Sequence, residues 1–288
     1  MRRIPGCAVM GALLTMTPAM DAAPRCAPAG ELRRVPELVE GSGVAASRRV
    51  PGRLWAHNDS GAPVLFALSR DGSVTGRVRL EGATVHDWEA VAVGPCGAAS
   101  CVFVGDIGDN DAARDHITVY RVEEPASDSG TATAIAFHAR YPDRPQDAEA
   151  LVVDRDGRLF IVTKGGRGPV SLYRFPAQLK AGTTVELERV GSPRSPGKPG
   201  PHDRITDAAL SANGEWVALR TTTRVTLHSA TEFMAGNWRE AARVSLAPLG
   251  ETQGEGLTFA SDGTLYLVGE GGGKKRPGTF AKLSCPGS

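Results

Sequence analysis

Aromatic side chains are scarce, 6% of 288 residues, and neither sign of charge is in excess, with 33 basic side chains against 32 acidic ones. A formal net charge of +1 leaves no basic footprint for nucleic acid, and so balanced a chain has no surplus charge to hold it unfolded. No apolar run reaches the roughly 20 residues a membrane-spanning helix needs. Neither Cys-x-x-Cys nor His-x-x-x-His occurs, which argues against a zinc site of the usual kind. The Gly-x-Ser-x-Gly elbow of serine hydrolases is missing too. Gly269–Lys275 is rich in glycine but lacks the spacing of a phosphate loop, and reads as a flexible hairpin.

What is present is turn chemistry: 35 Gly and 20 Pro point to a mostly β chain. Arg2 and Arg3 precede a charge-free stretch from Cys7 to Met20, with small residues Ala19, Ala22 and Ala23 behind it. A basic start, a short apolar run and a small-residue end predict a signal peptide over residues 1–22, followed by one domain over 23–288 that is secreted or periplasmic. Four cysteines remain. Cys96 and Cys101 flank a short turn, while Cys26 and Cys285 sit near the two ends, so the expected pairs are Cys96–Cys101 and Cys26–Cys285.

Self-similarity organises the rest. An acid followed by small and apolar residues opens four segments: Glu89–Val93, Glu149–Val153, Asp207–Ser211 and Glu255–Phe259; Ser42–Ala46 is a fifth, with Ser in place of the acid. Each leads into a turn, three of them carrying Asp-Gly or Asn-Gly, and then into second and third apolar runs, with weaker fourth runs in the first four units. Four short strands per unit, repeated, predict an all-β propeller of four-stranded antiparallel blades. Five blades are expected, six being the alternative if a longer interval hides a degenerate one. The fifth unit lacks a fourth strand, which Glu31–Leu38 is expected to supply, so that strands from both ends close the ring. Thr231–Ala241 has helical spacing, and Ser192–Asp203 reads as an exposed Pro/Gly loop.

If inner strands begin at the central axis, Glu89, Glu149, Asp207 and Glu255 converge on one channel mouth. Crowded carboxylates must take up protons or bind a cation, and hard oxygen donors suit Ca²⁺, with Mg²⁺ as the alternative. The competing structural account has each acid tying down backbone N–H groups of the next blade. Asp87 and Asp147 lie two residues before a ring acid, on the same strand face, and with His57 are candidate proton carriers. Ends of the second strands add Asn58, Asp59, Asp106, Asp109, Asn110, Lys164, Arg220 and Glu270 as candidate ligand-binding residues. Lys164 and Arg220 either hold an anionic group or neutralise the acids.

The stretches Leu54–Gly61, Asp87–Ala92, Val104–Asn110, Asp147–Leu151, Thr163–Gly165 and Gln253–Leu257 together resemble secreted bacterial propellers of the phytase-like, "esterase-like activity of phytase" kind. At the level of acid-started inner strands the chain is more distantly similar to gluconolactonase/paraoxonase propellers. The resemblance implies a cation in the channel and hydrolysis of a phosphoester or lactone. Calcium-bridged phosphate binding would call on basic groups, of which this sequence offers mainly Lys164, Arg204 and Arg220. The expected function is therefore a monomeric, cation-dependent hydrolase of a small anionic or sugar-like ligand; the alternative is a non-enzymatic binding propeller with a structural acid ring.

Overall fold

The computed structural model describes residues 23–192, 199–273 and 275–288; the expected leader (1–22) and residues 193–198 of the Pro/Gly loop lie outside the described residues. Two short strands, β1 (Ala27–Pro28) and β2 (Arg33–Val35), come first. The first meander is β3 (Gly41–Ala46), β4 (Leu54–Asn58), β5 (Val64–Leu68) and β6 (Val74–Glu81). The second is β7 (Trp88–Cys96), β8 (Ala99–Asp106), β9 (Ile117–Glu123) and β10 (Gly130–Arg140). The third is β11 (Ala148–Val153), β12 (Leu159–Thr163), β13 (Leu172–Arg174) and, after β14 (Thr184–Glu186), β15 (Glu188–Gly191). Next come β16 (Ile205–Leu210), β17 (Trp216–Thr221), β18 (Arg224–Ser229), helix α1 (Ala230–Met234) and β19 (Glu240–Ser245). Last are β20 (Gln253–Phe259), β21 (Thr264–Glu270) and β22 (Gly278–Ser284).

Tight hairpins make these meanders possible. Gly157 and Gly263, in Asp-Gly turns, have φ of 79° and 77°, a conformation other residues adopt only with strain. Strands β3, β7, β11, β16 and β20 pack side by side in that cyclic order, each at a sheet edge. Apolar clusters fill the space between successive meanders: Trp55 and Leu65 meet Trp88 and Val104, Phe103 meets Ile161, Phe160 meets Val217, and Leu227 meets Leu267. Val44 and Leu54 against Tyr266 and Phe280 close the cycle. The all-β propeller expectation holds, and we read each meander as one blade.

Both chain ends enter the closing sheet, as expected: β1 and β2 each pair with β22, and the Cys26–Cys285 and Cys96–Cys101 disulfides are formed. Three details differ. Strand β10 runs parallel to β6, fusing the first two meanders into one sheet, because its first residues outrun β9 and reach the neighbouring edge. The expected fourth strand of the third unit is split, β14 joining β10 and only β15 joining β13. The expected helix shrinks to Ala230–Met234 and stops near Gly236, whose φ of 85° is left-handed.

Candidate functional site at the channel mouth

Each inner strand carries one register shift near its start, between Gly41 and Gly43, Trp88 and Ala90, Ala148 and Ala150, Ile205 and Asp207, and Gly254 and Leu257. The residue enclosed by the shift is Ser42, Glu89, Glu149 and, in the fourth meander, Thr206; in the fifth it is Glu255 with Gly256. Backbone bonds between neighbours repeat the same phase, Trp88 N to Asp59 O (3.0 Å) and Ile205 N to Lys164 O (3.1 Å). So does the hydroxyl bonding: Ser42 Oγ donates to Glu89 O (3.2 Å) and Thr206 Oγ1 to Glu255 O (3.0 Å).

That phase corrects the expected ring at one position. Asp207 stands one residue beyond the bulge, and in a strand one residue is the opposite face. Its carboxylate accepts from Ala208 N and from Leu257 N in the next meander, each at 2.7 Å. The tie-down account is right for Asp207, while Glu89, Glu149 and Glu255 keep the bulge position.

The same phase sorts the second-strand residues. Gly41, Trp88, Ala148, Ile205 and Gly254 pair with Asn58, Asp106, Thr163, Thr221 and Gly269, so Asp59, Lys164 and Glu270 share one position and Asn58 and Asp106 another. Asn58 Nδ2 donates to Glu37 O (3.0 Å) and its Oδ1 accepts from Glu40 N (3.2 Å), which anchors the N-terminal segment. Asp106 accepts from His86 N and Asp87 N and pairs with Arg114 at 2.8 Å, positioning the Asp87 loop. Asp109 caps Ala113 N and Arg114 N, both at 2.9 Å. Asn110 offers its carbonyl to Arg167 Nε at 2.8 Å. Arg220 is fully buried, its guanidinium spent on Gly256 O, Val268 O and Glu251. His57 is likewise buried and edge-on to Trp88, and burial pulls its imidazole down to about 4. In these placements Asn58, Asp106, Asp109 and Arg220 serve protein partners, and burial lowers the basicity of His57.

What converges is a set of carboxyls around one ammonium. A side chain at Gly108 would collide with both Asp87 Oδ2 and Glu89 Oε1, so these two carboxyls press on the same piece of backbone. Lys164 Nζ ion-pairs with Glu149 Oε1 and lies 3.7 Å from Asp147 Oδ2, while Asp147 Oδ1 accepts from Asp109 N at 2.9 Å. Among the described residues, Glu89 Oε2 has only the Ser42 hydroxyl, at 2.8 Å. Gln253 Nε2 links Glu255 Oε1 (2.8 Å) to Glu270 Oε1 (2.9 Å). Sequence reading missed Gln253 and Glu40; both stand two residues before a bulge position, the offset already noticed for Asp87 and Asp147.

Burial and mutual repulsion set the protonation. Glu89 is held well above the usual carboxyl range, by burial first and then by Glu149 and Asp87. Glu149 is pushed up to about 8, burial outweighing the Lys164 ammonium beside it. Burial works against the charge on Lys164, yet Glu149 and Asp147 more than compensate and hold its ammonium above the usual range. Asp59 and Glu270 are raised to about 7, mainly by burial, with Glu40 and Glu270 adding to it at Asp59 and Glu255 and Glu40 at Glu270.

The residues do not fit the expected Ca²⁺ or Mg²⁺. Among the described residues no group of three or more His, Cys, Asp or Glu side chains is gathered closely enough to hold a metal ion. Asp207, one of the four expected ligands, has both oxygens engaged by N–H groups, and Lys164 supplies the positive charge beside Glu149.

No protein-family model and no curated protein matches the chain. Among solved structures, the PQQ-bound aldose sugar dehydrogenase of Streptomyces coelicolor is similar over 90% of this chain and 99% of its own, at 11% identity and a TM-score of 0.51. Regucalcin, a calcium-binding protein of Agrobacterium tumefaciens, is similar over 88% and 94%, at 13% identity and a TM-score of 0.44. Virginiamycin B lyase of Staphylococcus aureus covers 88% and 98%, at 9% identity and a TM-score of 0.43. At such identities the likeness to the dehydrogenase concerns the fold.

Proposed function

We propose that the channel mouth binds a neutral, hydroxyl-bearing small molecule, a lactone or a glycoside, and hydrolyses it by general acid–base catalysis. One observation carries the reading: neighbouring carboxyls at equivalent positions have opposite company, Glu89 a hydroxyl and Glu149 an ammonium. Such a split is how a pair of like groups divides into an acid and a base. Glu89, kept protonated by burial and by its neighbours, gives its proton to the leaving oxygen. Glu149, held as a carboxylate by its ion pair with Lys164, takes a proton from the attacking water. Lys164 steadies the oxygen on which negative charge grows, and Asp87 and Asp147 orient substrate hydroxyls.

The surplus of carboxyls, Glu40, Asp59, Asp87, Asp147, Glu255 and Glu270 around one lysine, repels a phosphoester and leaves the neutral lactone or glycoside as the better guest. The two disulfides and the leader-like residues 1–22 support an oxidising, secreted or periplasmic location. No described helix is long and apolar enough to cross a membrane.

A panel of chromogenic lactones, glycosides and phosphoesters, assayed with and without chelator, tests the reading. Turnover of a neutral substrate should survive chelator and fall at least about a hundredfold in Glu89→Gln and in Glu149→Gln. Turnover that chelator abolishes and calcium restores would overturn the metal-free mechanism. Binding without turnover of any substrate would favour the non-enzymatic alternative.

A further inference from the structure

Beyond its bulge each inner strand continues away from the carboxyls with small and apolar residues, among them Val44, Val91, Leu151, Ala208 and Leu257. All five strands line a cavity of about 340 Å³ at their far ends, within the size of ordinary small-molecule sites. Each is an edge strand, so one side of its backbone has no strand partner and can bond a guest or water.

The charge here is the reverse of the carboxyl mouth. Arg48 and Arg155 line the cavity, are exposed, and form no ion pair among the described residues. Asp154, the acid among the lining residues, is already used: its Oδ2 is 2.5 Å from Arg158 Nε, and its Oδ1 accepts from Asp156 N and Arg158 N. A throat lined in part by small and apolar side chains, with Arg48 and Arg155 among its lining residues and without an ion pair among the described residues, matches a ligand with an apolar body and a carboxylate head.

We propose that this end of the channel is a second ligand site, which takes a small aliphatic monocarboxylate. The head lies between Arg48 and Arg155, and the tail enters the throat formed by the five inner strands. The site is separate from the carboxyl mouth and does not depend on the acid–base reading.

Calorimetric titration of the folded protein with octanoate at low ionic strength tests it, with octylammonium as the charge-reversed control. Octanoate should bind, octylammonium should not, and Arg48→Gln/Arg155→Gln should weaken octanoate at least about tenfold. Both arginines are exposed, so the double variant should melt with the parent. In Glu89→Gln, octanoate affinity should be unchanged. The proposal fails if the parent binds no octanoate, if octylammonium binds equally well, or if the double variant binds undiminished. It fails equally if Glu89→Gln rather than the arginine variant alters binding, since that would put octanoate at the other mouth.

Discussion

The fourth meander and the two before it look alike in sequence, an acid followed by small and apolar residues, yet their acids do different work. Glu89 and Glu149 occupy the bulge and meet a hydroxyl and an ammonium; Asp207 sits one residue later and stitches two meanders through backbone N–H groups. The bulge position of the fourth meander belongs to Thr206, whose hydroxyl repeats the contact of Ser42. A carboxylate's chemistry here depends on its phase relative to the bulge, more than on its position in the repeat.

That contrast can be broken by substitution, and the largest effect belongs to the fourth meander. Arg220→Met leaves Glu251 buried without its partner, and should cost about 3–5 kcal/mol in denaturant unfolding. Asp207→Ala strands two buried N–H groups, with an expected loss of about 2–4 kcal/mol. Glu89→Gln, by contrast, should leave stability within about 1 kcal/mol, because it removes a carboxyl that burial already disfavours as an anion. If Asp207→Ala proved as harmless as Glu89→Gln, the two acids would be equivalent after all. Thr206→Val should cost about 1 kcal/mol, one buried hydroxyl bond.

A separate effect is on the pH dependence. Asp59 and Glu270 are raised to about 7 in the fold, from ordinary carboxyl values of about 4. Above those ordinary values the folded chain binds more protons than the unfolded one, so stability should fall as pH rises from about 4 to 7, and the raised Glu149 and Glu89 extend the fall above that. Unfolding curves collected across that range should show the slope, and Glu270→Gln should flatten it. A slope of the opposite sign would mean that these carboxyls are charged in the fold at low pH.

Much of the architecture was legible because hairpins are local: Asp-Gly and Asn-Gly turns and short apolar runs announce each strand where it lies. The site was legible in part, through the acids at Glu89, Glu149 and Glu255 and the offset that adds Asp87 and Asp147. Phase was not, since a bulge is a property of two paired strands and nothing in Ile205-Thr206-Asp207 marks which residue it will enclose. Composition also misled at Asp106 and Asp109, where oxygens suited to a cation are equally suited to backbone N–H groups. Lys164 was visible, but its seat beside Glu149 depends on how β11 and β12 align.

The sheet that contains β1, β2 and β22 gathers segments from the two extremes of the described chain. None of its outer pairing can form until the final strand has emerged, so closure is a late event that must bring together residues some 250 positions apart. Until then the fifth unit presents a bare strand edge, the surface most prone to pairing with a neighbouring molecule. A chain that lacks β1 and β2, or β22, should therefore betray itself by clumping during refolding before any loss of ligand recognition is noticed.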